Sequence, residues 1–235
     1  MNIDLGWAAA SPLIWIAATL LAYGMACQLY ARSGCHPLAH PVAISVAILM
    51  ALLILTGTPY SSYFDSAQLI HFLLGPATVA LAIPLYQQIR HIKDNWFALT
   101  MAATLGSAAS VATGMGVAWM LGASHATIFS MAAKSVTMPI AMGITEKIGG
   151  LPSLTSAFVM LTGILGATVA PGILHRMRIS DESTCGFALG VAAHGIGAAR
   201  AFQISQRMGA FAALAMGLSG ILTALILPFV LTWLS

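Results

Sequence analysis

Two short runs carry most of the chemistry this chain can offer. The first is Lys134-Ser135-Val136-Thr137-Met138-Pro139-Ile140-Ala141-Met142, with apolar sequence on both sides. A lysine at the centre of a membrane segment costs about 2.5–3.5 kcal/mol on insertion scales, so its presence asks for a role. Ser135 and Thr137 add hydroxyls, and Pro139 breaks the helical ladder and frees a carbonyl. Together they make a polar nest suited to an anion. The competing reading is an ion pair with Glu146 or Asp65 that serves assembly alone.

The second run is His194-Gly195-Ile196-Gly197-Ala198-Ala199-Arg200. Arg200 offers a planar fork that matches a carboxylate, and near a segment end it can instead snorkel to the interface. His194 can carry a proton in the physiological range, although a single histidine on an apolar helix is ordinarily a satisfied core residue. Gly195 and Gly197 permit a sharp break or a close backbone approach. A third run, Gly75 to Pro84, has no charge. Its Gly75, Pro76 and Pro84 interrupt a helix, and Thr78 supplies one hydroxyl. The substrate-binding set expected from these runs is Lys134, Ser135, Thr137, Arg200, His194 and Thr78. The expected backbone breaks are Gly75, Pro76, Pro84, Pro139, Gly195 and Gly197.

The elements that must position these residues lie in a bilayer. The chain has 235 residues, 59% hydrophobic and 6% charged, against about 25% charged in a soluble domain. That composition excludes a water-soluble globule and leaves an all-α polytopic membrane protein. Eight apolar segments can be drawn, beginning near residues 11, 37, 67, 96, 126, 152, 185 and 209. The third, fifth and seventh are interrupted near their middles. In a bilayer, irregular backbone survives only where protein or an aqueous cavity satisfies it, as in secondary transporters. The chain reads as one transmembrane domain, and halves of about 1–121 and 122–235 are candidates for an internal repeat.

Loop charges give an orientation. Arg32 and the Arg90/Lys93 pair lie one loop apart, while the loops near Tyr60 and Ser124 carry no Lys or Arg. The positive-inside rule then puts the N-terminus outside. If all eight segments cross, Arg176 and Arg178 fall outside. If the fifth and seventh dip in and return, both fall inside with Arg207, and only Lys147 is misplaced. Met1 to Trp7 carries Asp4 and no basic residue, so the first segment is expected to stay as a span in a bacterial inner membrane.

Nine Lys and Arg spread over the loops form no basic patch for nucleic acid. The three cysteines and the histidines lack metal-ligand spacing, no cofactor motif is present, and no nucleophile–base pair suggests an enzyme. Two central cations and no central acid point to an anionic ligand.

At these same residues the sequence resembles the LrgB/CidB family of bacterial membrane proteins. The resemblance runs through Lys134–Met142, Ile148-Gly149-Gly150-Leu151-Pro152-Ser153-Leu154-Thr155, Gly163-Ile164-Leu165-Gly166-Ala167 and His194–Arg200. It continues through Gly209-Ala210-Phe211 and Gly217-Leu218-Ser219-Gly220, and Gly75–Tyr86 also fits. Ala133, Met138, Ala193 and Ala198 stand where proline, threonine, serine and threonine are expected. The resemblance implies one of two functions. One is transport of small monocarboxylates such as pyruvate, lactate, acetate or glycolate, with or without a proton. The other is control of murein hydrolases and autolysis beside a small holin-like partner of LrgA or CidA type. It leaves open whether the chain forms a homo-oligomer. The residues favour transport, because a lysis pore needs neither central cations nor broken helices.

Overall fold

The computed structural model describes residues 12–33, 39–80 and 82–234, and every regular element among them is helical. The described chain divides at residue 80 into two compact units.

The first unit holds α1 (Pro12–Arg32), α2 (Pro41–Thr56), α3 (Tyr60–Ser66) and α4 (Gln68–Ala80). Gly57 ends α2 in the left-handed conformation (φ 63°), and the next amide reaches back to the Leu53 carbonyl at 3.0 Å. This is the usual glycine stop, and it turns α3 by 119° from α2. Trp15, 3% exposed, meets Tyr63 edge-to-face at 5.6 Å, and the Tyr63 hydroxyl lies 3.0 Å from Thr19 Oγ1. Pro76 lies inside α4. The side chains at Gly75, Thr78 and Pro84 lie outside the described residues.

The second unit runs through α5 (Ala82–Gln87), α6 (Ile89–Asp94), α7 (Trp96–Met120), α8 (His125–Ala132), α9 (Met138–Ile148), α10 (Pro152–Arg176), α11 (Glu182–Ile204) and α12 (Gln206–Leu234). At 25 residues each, α7 and α10 are about 37 Å long at helical rise, enough to cross a hydrocarbon core of about 30 Å.

Two elements between the crossing helices double back. The fifth apolar segment is two half-helices, α8 and α9, parted by residues 133–137. Thr155 Oγ1 lies 3.0 Å from the Ser130 carbonyl oxygen and 2.9 Å from Thr145 Oγ1, within hydrogen-bond reach of both. The Leu151 amide donates to Ser130 Oγ at 2.8 Å. Collinear half-helices would hold residues 130 and 145 about 20 Å apart, so α8 and α9 form a hairpin. Ser130, Thr145 and Thr155 are all fully buried, and Gly150 lets the turn close: a Cβ there would stand 2.6 Å from Thr145 Cγ2 and 3.0 Å from the Ser130 amide nitrogen.

The seventh segment, α11, reverses at His194, whose φ of 42° and ψ of −129° are non-helical. A Cβ on Gly197 would lie 2.3 Å from the Leu189 carbonyl oxygen, although eight helical residues span about 12 Å. The arms are therefore side by side. Ser183 bonds Arg207, and Gly186 and Gly190 sit against the Met208 and Ala212 carbonyls, so α12 starts at the end where α11 entered. Since α10 crosses between them, the two hairpins enter from opposite ends of the unit.

Five described helices are long and apolar enough to span, or six if the bent α2–α3 pair counts as one. That is fewer than the eight segments drawn from the sequence. The third and fifth segments consist of shorter helices, and α11 has the length to span but folds back. The hairpins also match in sequence. Ala132-Ala133-Lys134, then Ala141, Ile144, Lys147-Ile148-Gly149, is mirrored by Ala192-Ala193-His194, then Ala201, Ile204, Arg207-Met208-Gly209.

Candidate functional site

A cavity of about 980 Å³ lies along one face of α7. Ala98, Ala102, Gly106, Ala109 and Thr113 line it at helical spacing. Residues 95 to 113 cover about 27 Å at helical rise. At one end the lining includes His91, Asn95, Asp181, Ser183 and Arg207, all at the turns where α7, α11 and α12 begin. At the other end it reaches Ser110, Lys134 and Ser135. Leu99, Val191, Phe187 and Phe211 make the intervening wall apolar.

Lys134 sits at the tip of the α8–α9 hairpin. Its Nζ donates to Ser110 Oγ at 2.7 Å and to Ser135 Oγ at 3.3 Å, and the two serine oxygens are 2.6 Å apart. Among the described residues no carboxylate pairs with this ammonium; Glu146 and Asp65, the ion-pair candidates, are both exposed. Gly114 gives the lysine its room: a Cβ there would stand 2.7 Å from Lys134 Cε. An ammonium has three donors, and two are used here.

The mouth carries a different balance. Asp181 caps α11, its Oδ2 accepting from the Thr184 amide and hydroxyl, each at 2.8 Å. These two bonds, with help from the nearby Arg207 charge, hold its carboxyl below the ordinary value. Arg207 Nε donates to Ser183 Oγ at 2.9 Å.

Of the described side chains singled out in the sequence, only Lys134 and Ser135 line the cavity. Thr137 is the N-cap of α9, where its side chain makes no capping bond, and Pro139 opens that helix. His194, 4% exposed, lies at 3.0 Å through Nε2 from the Val159 carbonyl, with its ring over Gly163. Arg200 bonds Gln203 Oε1 at 3.0 Å and is not among the cavity-lining residues. The break in α11 falls on His194 itself, while Gly195 and Gly197 keep φ outside the left-handed region. Sequence reasoning missed Ser110, Thr113, Gly114 and the Asn95–Arg207 mouth. The small-residue run 106–110 serves packing: a Cβ on Gly106 would meet Val191 Cγ1 at 2.8 Å. Gly106, Ala109 and Ser110 also line the cavity.

Crossing helices of this length and apolarity, with two opposed hairpins packed among them, define a polytopic all-α membrane protein. The chain belongs to the LrgB-like family, which it matches over residues 19–233. It is 37% identical to the uncharacterized protein YwbG of Bacillus subtilis, over 78% of this chain and 81% of that one. It is 30% identical to proteins named antiholin-like protein LrgB from Bacillus mycoides and Bacillus cereus, over 93% of this chain and 95% of theirs. No solved structure matches.

Proposed function

We propose that this protein is a transporter of small monocarboxylates, with Lys134 as the group that attracts the carboxylate. One observation carries the reading. A lysine ammonium, held by two hydroxyls and unpaired with any described carboxylate, ends a large cavity at membrane depth. The free third donor suits a carboxylate oxygen, and a charge-assisted bond of this kind is among the stronger ones. The apolar wall of Leu99, Val191 and Phe187 suits a short carbon chain. The cavity interior offers one cation, which matches one negative charge.

The end of the second unit where the cavity opens also holds Arg90, Lys93, Arg176, Arg178 and Arg207; the opposite end holds Lys147. By the positive-inside rule the cavity faces the cytoplasm of a bacterial plasma membrane. Opposed hairpins with matched sequences suit alternating access, in which one repeat moves against the other around a fixed site. His194 then holds, in the α11 hairpin, the place that Lys134 holds in the α8–α9 hairpin.

Purified protein in liposomes tests this directly. Saturable uptake of pyruvate, lactate, acetate or glycolate is expected. Lys134→Met should lower it at least about tenfold, the worth of one lost charge-assisted bond, without loss of inserted protein. Undiminished uptake by that variant refutes the assigned role.

The names of the antiholin-like relatives favour a second reading, a partner subunit beside a small holin-like membrane protein that controls autolysis. Under it, the chain alone would move no carboxylate, and adding the partner would change nonselective dye leakage.

A further inference from the structure

Behind the lysine lies a second, much smaller chamber. Its volume is about 10 Å³, about one water-sized sphere. Ser110 and Ser135 line both the large cavity and this chamber, so their 2.6 Å contact is the partition between the two. On the far side stand Ser107 and, from α12, Thr223.

Thr223 is 6% exposed, yet its hydroxyl has no hydrogen-bond partner among the described residues. Other helical threonines behave differently. Thr19, Thr100, Thr104 and Thr113 each donate to the carbonyl four residues back, the common resting place of a helical threonine hydroxyl. Thr223 forgoes that bond at a position that lines the chamber. One turn earlier on the same face, Ser219 Oγ is also buried and unpartnered. A fully buried hydroxyl left unmade costs about 1–3 kcal/mol, so Ser219 calls for an occupant, and the unpartnered Thr223 hydroxyl beside it borders the chamber that would hold one. Depth adds direction: α7 and α12 both start at the cavity mouth. Ser110 lies about 21 Å along its helix and Thr223 about 26 Å along its own, so the chamber sits beyond the lysine, towards the opposite face.

We propose that Thr223 is a further ligand-binding residue: when the Ser110–Ser135 contact opens, its hydroxyl, with that of Ser107, takes a carboxylate oxygen of the ligand leaving Lys134. The inference rests on the transport reading above. It makes the chamber an oxygen-sized step on the path to the other face, and the serine pair its gate.

The test is uptake kinetics and thermal stability in Thr223→Val and Thr223→Ser, with pyruvate or glycolate as probe. Thr223→Val should lower kcat/KM at least about tenfold, Thr223→Ser should stay near wild type, and neither should lower Tm, because no existing protein hydrogen bond is lost. Unchanged kinetics in Thr223→Val with a lowered Tm would mean a structural water only, and would overturn the proposal; unchanged kinetics with unchanged Tm overturns it equally. If wild type shows no saturable uptake, the transport reading itself fails. If wild-type uptake falls with Lys134→Met but not with Thr223→Val, only this inference fails.

Discussion

At the scale of single residues, the site depends on an absence. Gly114 has ordinary helical backbone, so its requirement is space: a methyl there would press on Lys134 Cε from 2.7 Å. Because the pressed atom is near the free end of a flexible chain, Gly114→Ala should fold with little loss of stability. It should nevertheless move the ammonium off Ser110 and raise KM several-fold, which uptake kinetics beside a Tm measurement would reveal. A large drop in Tm with unchanged KM would mean that the glycine serves packing alone. Lys134 was legible in the sequence because a charge inside an apolar stretch is costly and so stands out. Ser110 and Gly114 were not, since small residues on a membrane helix are ordinarily read as a packing face. Arg200 was misleading for the opposite reason: its charge stands out equally, but the α11 reversal leaves it bonded to Gln203 and outside the cavity lining.

At the scale of elements, what holds the lysine in place is the root of its hairpin. The buried Ser130–Thr145–Thr155 hydroxyls tie α8, α9 and α10 together. Thr155→Val keeps the shape but leaves the Ser130 carbonyl and Thr145 unpaired, so unfolding should cost about 1–3 kcal/mol less than in wild type, measured as a lower Tm in detergent. The second hairpin is anchored differently, by the Asp181 cap. Its carboxyl titrates below the ordinary value, so the cap supports the folded state fully above the unfolded carboxylate pKa of about 3.9. That support is lost as pH falls through the lowered folded value. Asp181→Asn should therefore be less stable than wild type at neutral pH, with the gap closing only in acid below about pH 4. A gap that persists unchanged at lower pH would show that charge is not what the cap supplies. α4 runs unbroken through Gly75 and Pro76, and the reversal of α11 falls on His194 rather than on Gly195 or Gly197, so the interruptions in the apolar segments were legible by region and not by residue. That two of them reverse was not, because a kink and a reversal look alike in composition. The likeness of Ala132–Gly149 to Ala192–Gly209 lies between the two hairpins, a shorter span than the halves 1–121 and 122–235.

At the scale of the whole molecule, the two reversals decide which loops share a side of the membrane. With α8–α9 and α11 both doubling back, Ala123 and Glu146 lie on one side of the bilayer, and Ser180 and Gln206 on the other. If either segment crossed instead, its own pair would be split. Single cysteines at these four positions, in a chain whose Cys27, Cys35 and Cys185 are replaced by alanine, can be labelled with an impermeant maleimide in sealed cells and in inverted vesicles. Ala123→Cys and Glu146→Cys should react only from outside, and Ser180→Cys and Gln206→Cys only from inside. The cavity adds a fifth probe. Ala109→Cys lies on its wall, well inside the membrane on α7, and should react from the side of Ser180. That labelling should fall when a carboxylate ligand is added, since an occupied site closes the path in an alternating-access cycle. A split pair removes the hairpin that carries Lys134 or His194. Intact pairs with Ala109→Cys indifferent to every carboxylate would keep the architecture and remove the transport reading, leaving the partner-subunit role as the better account.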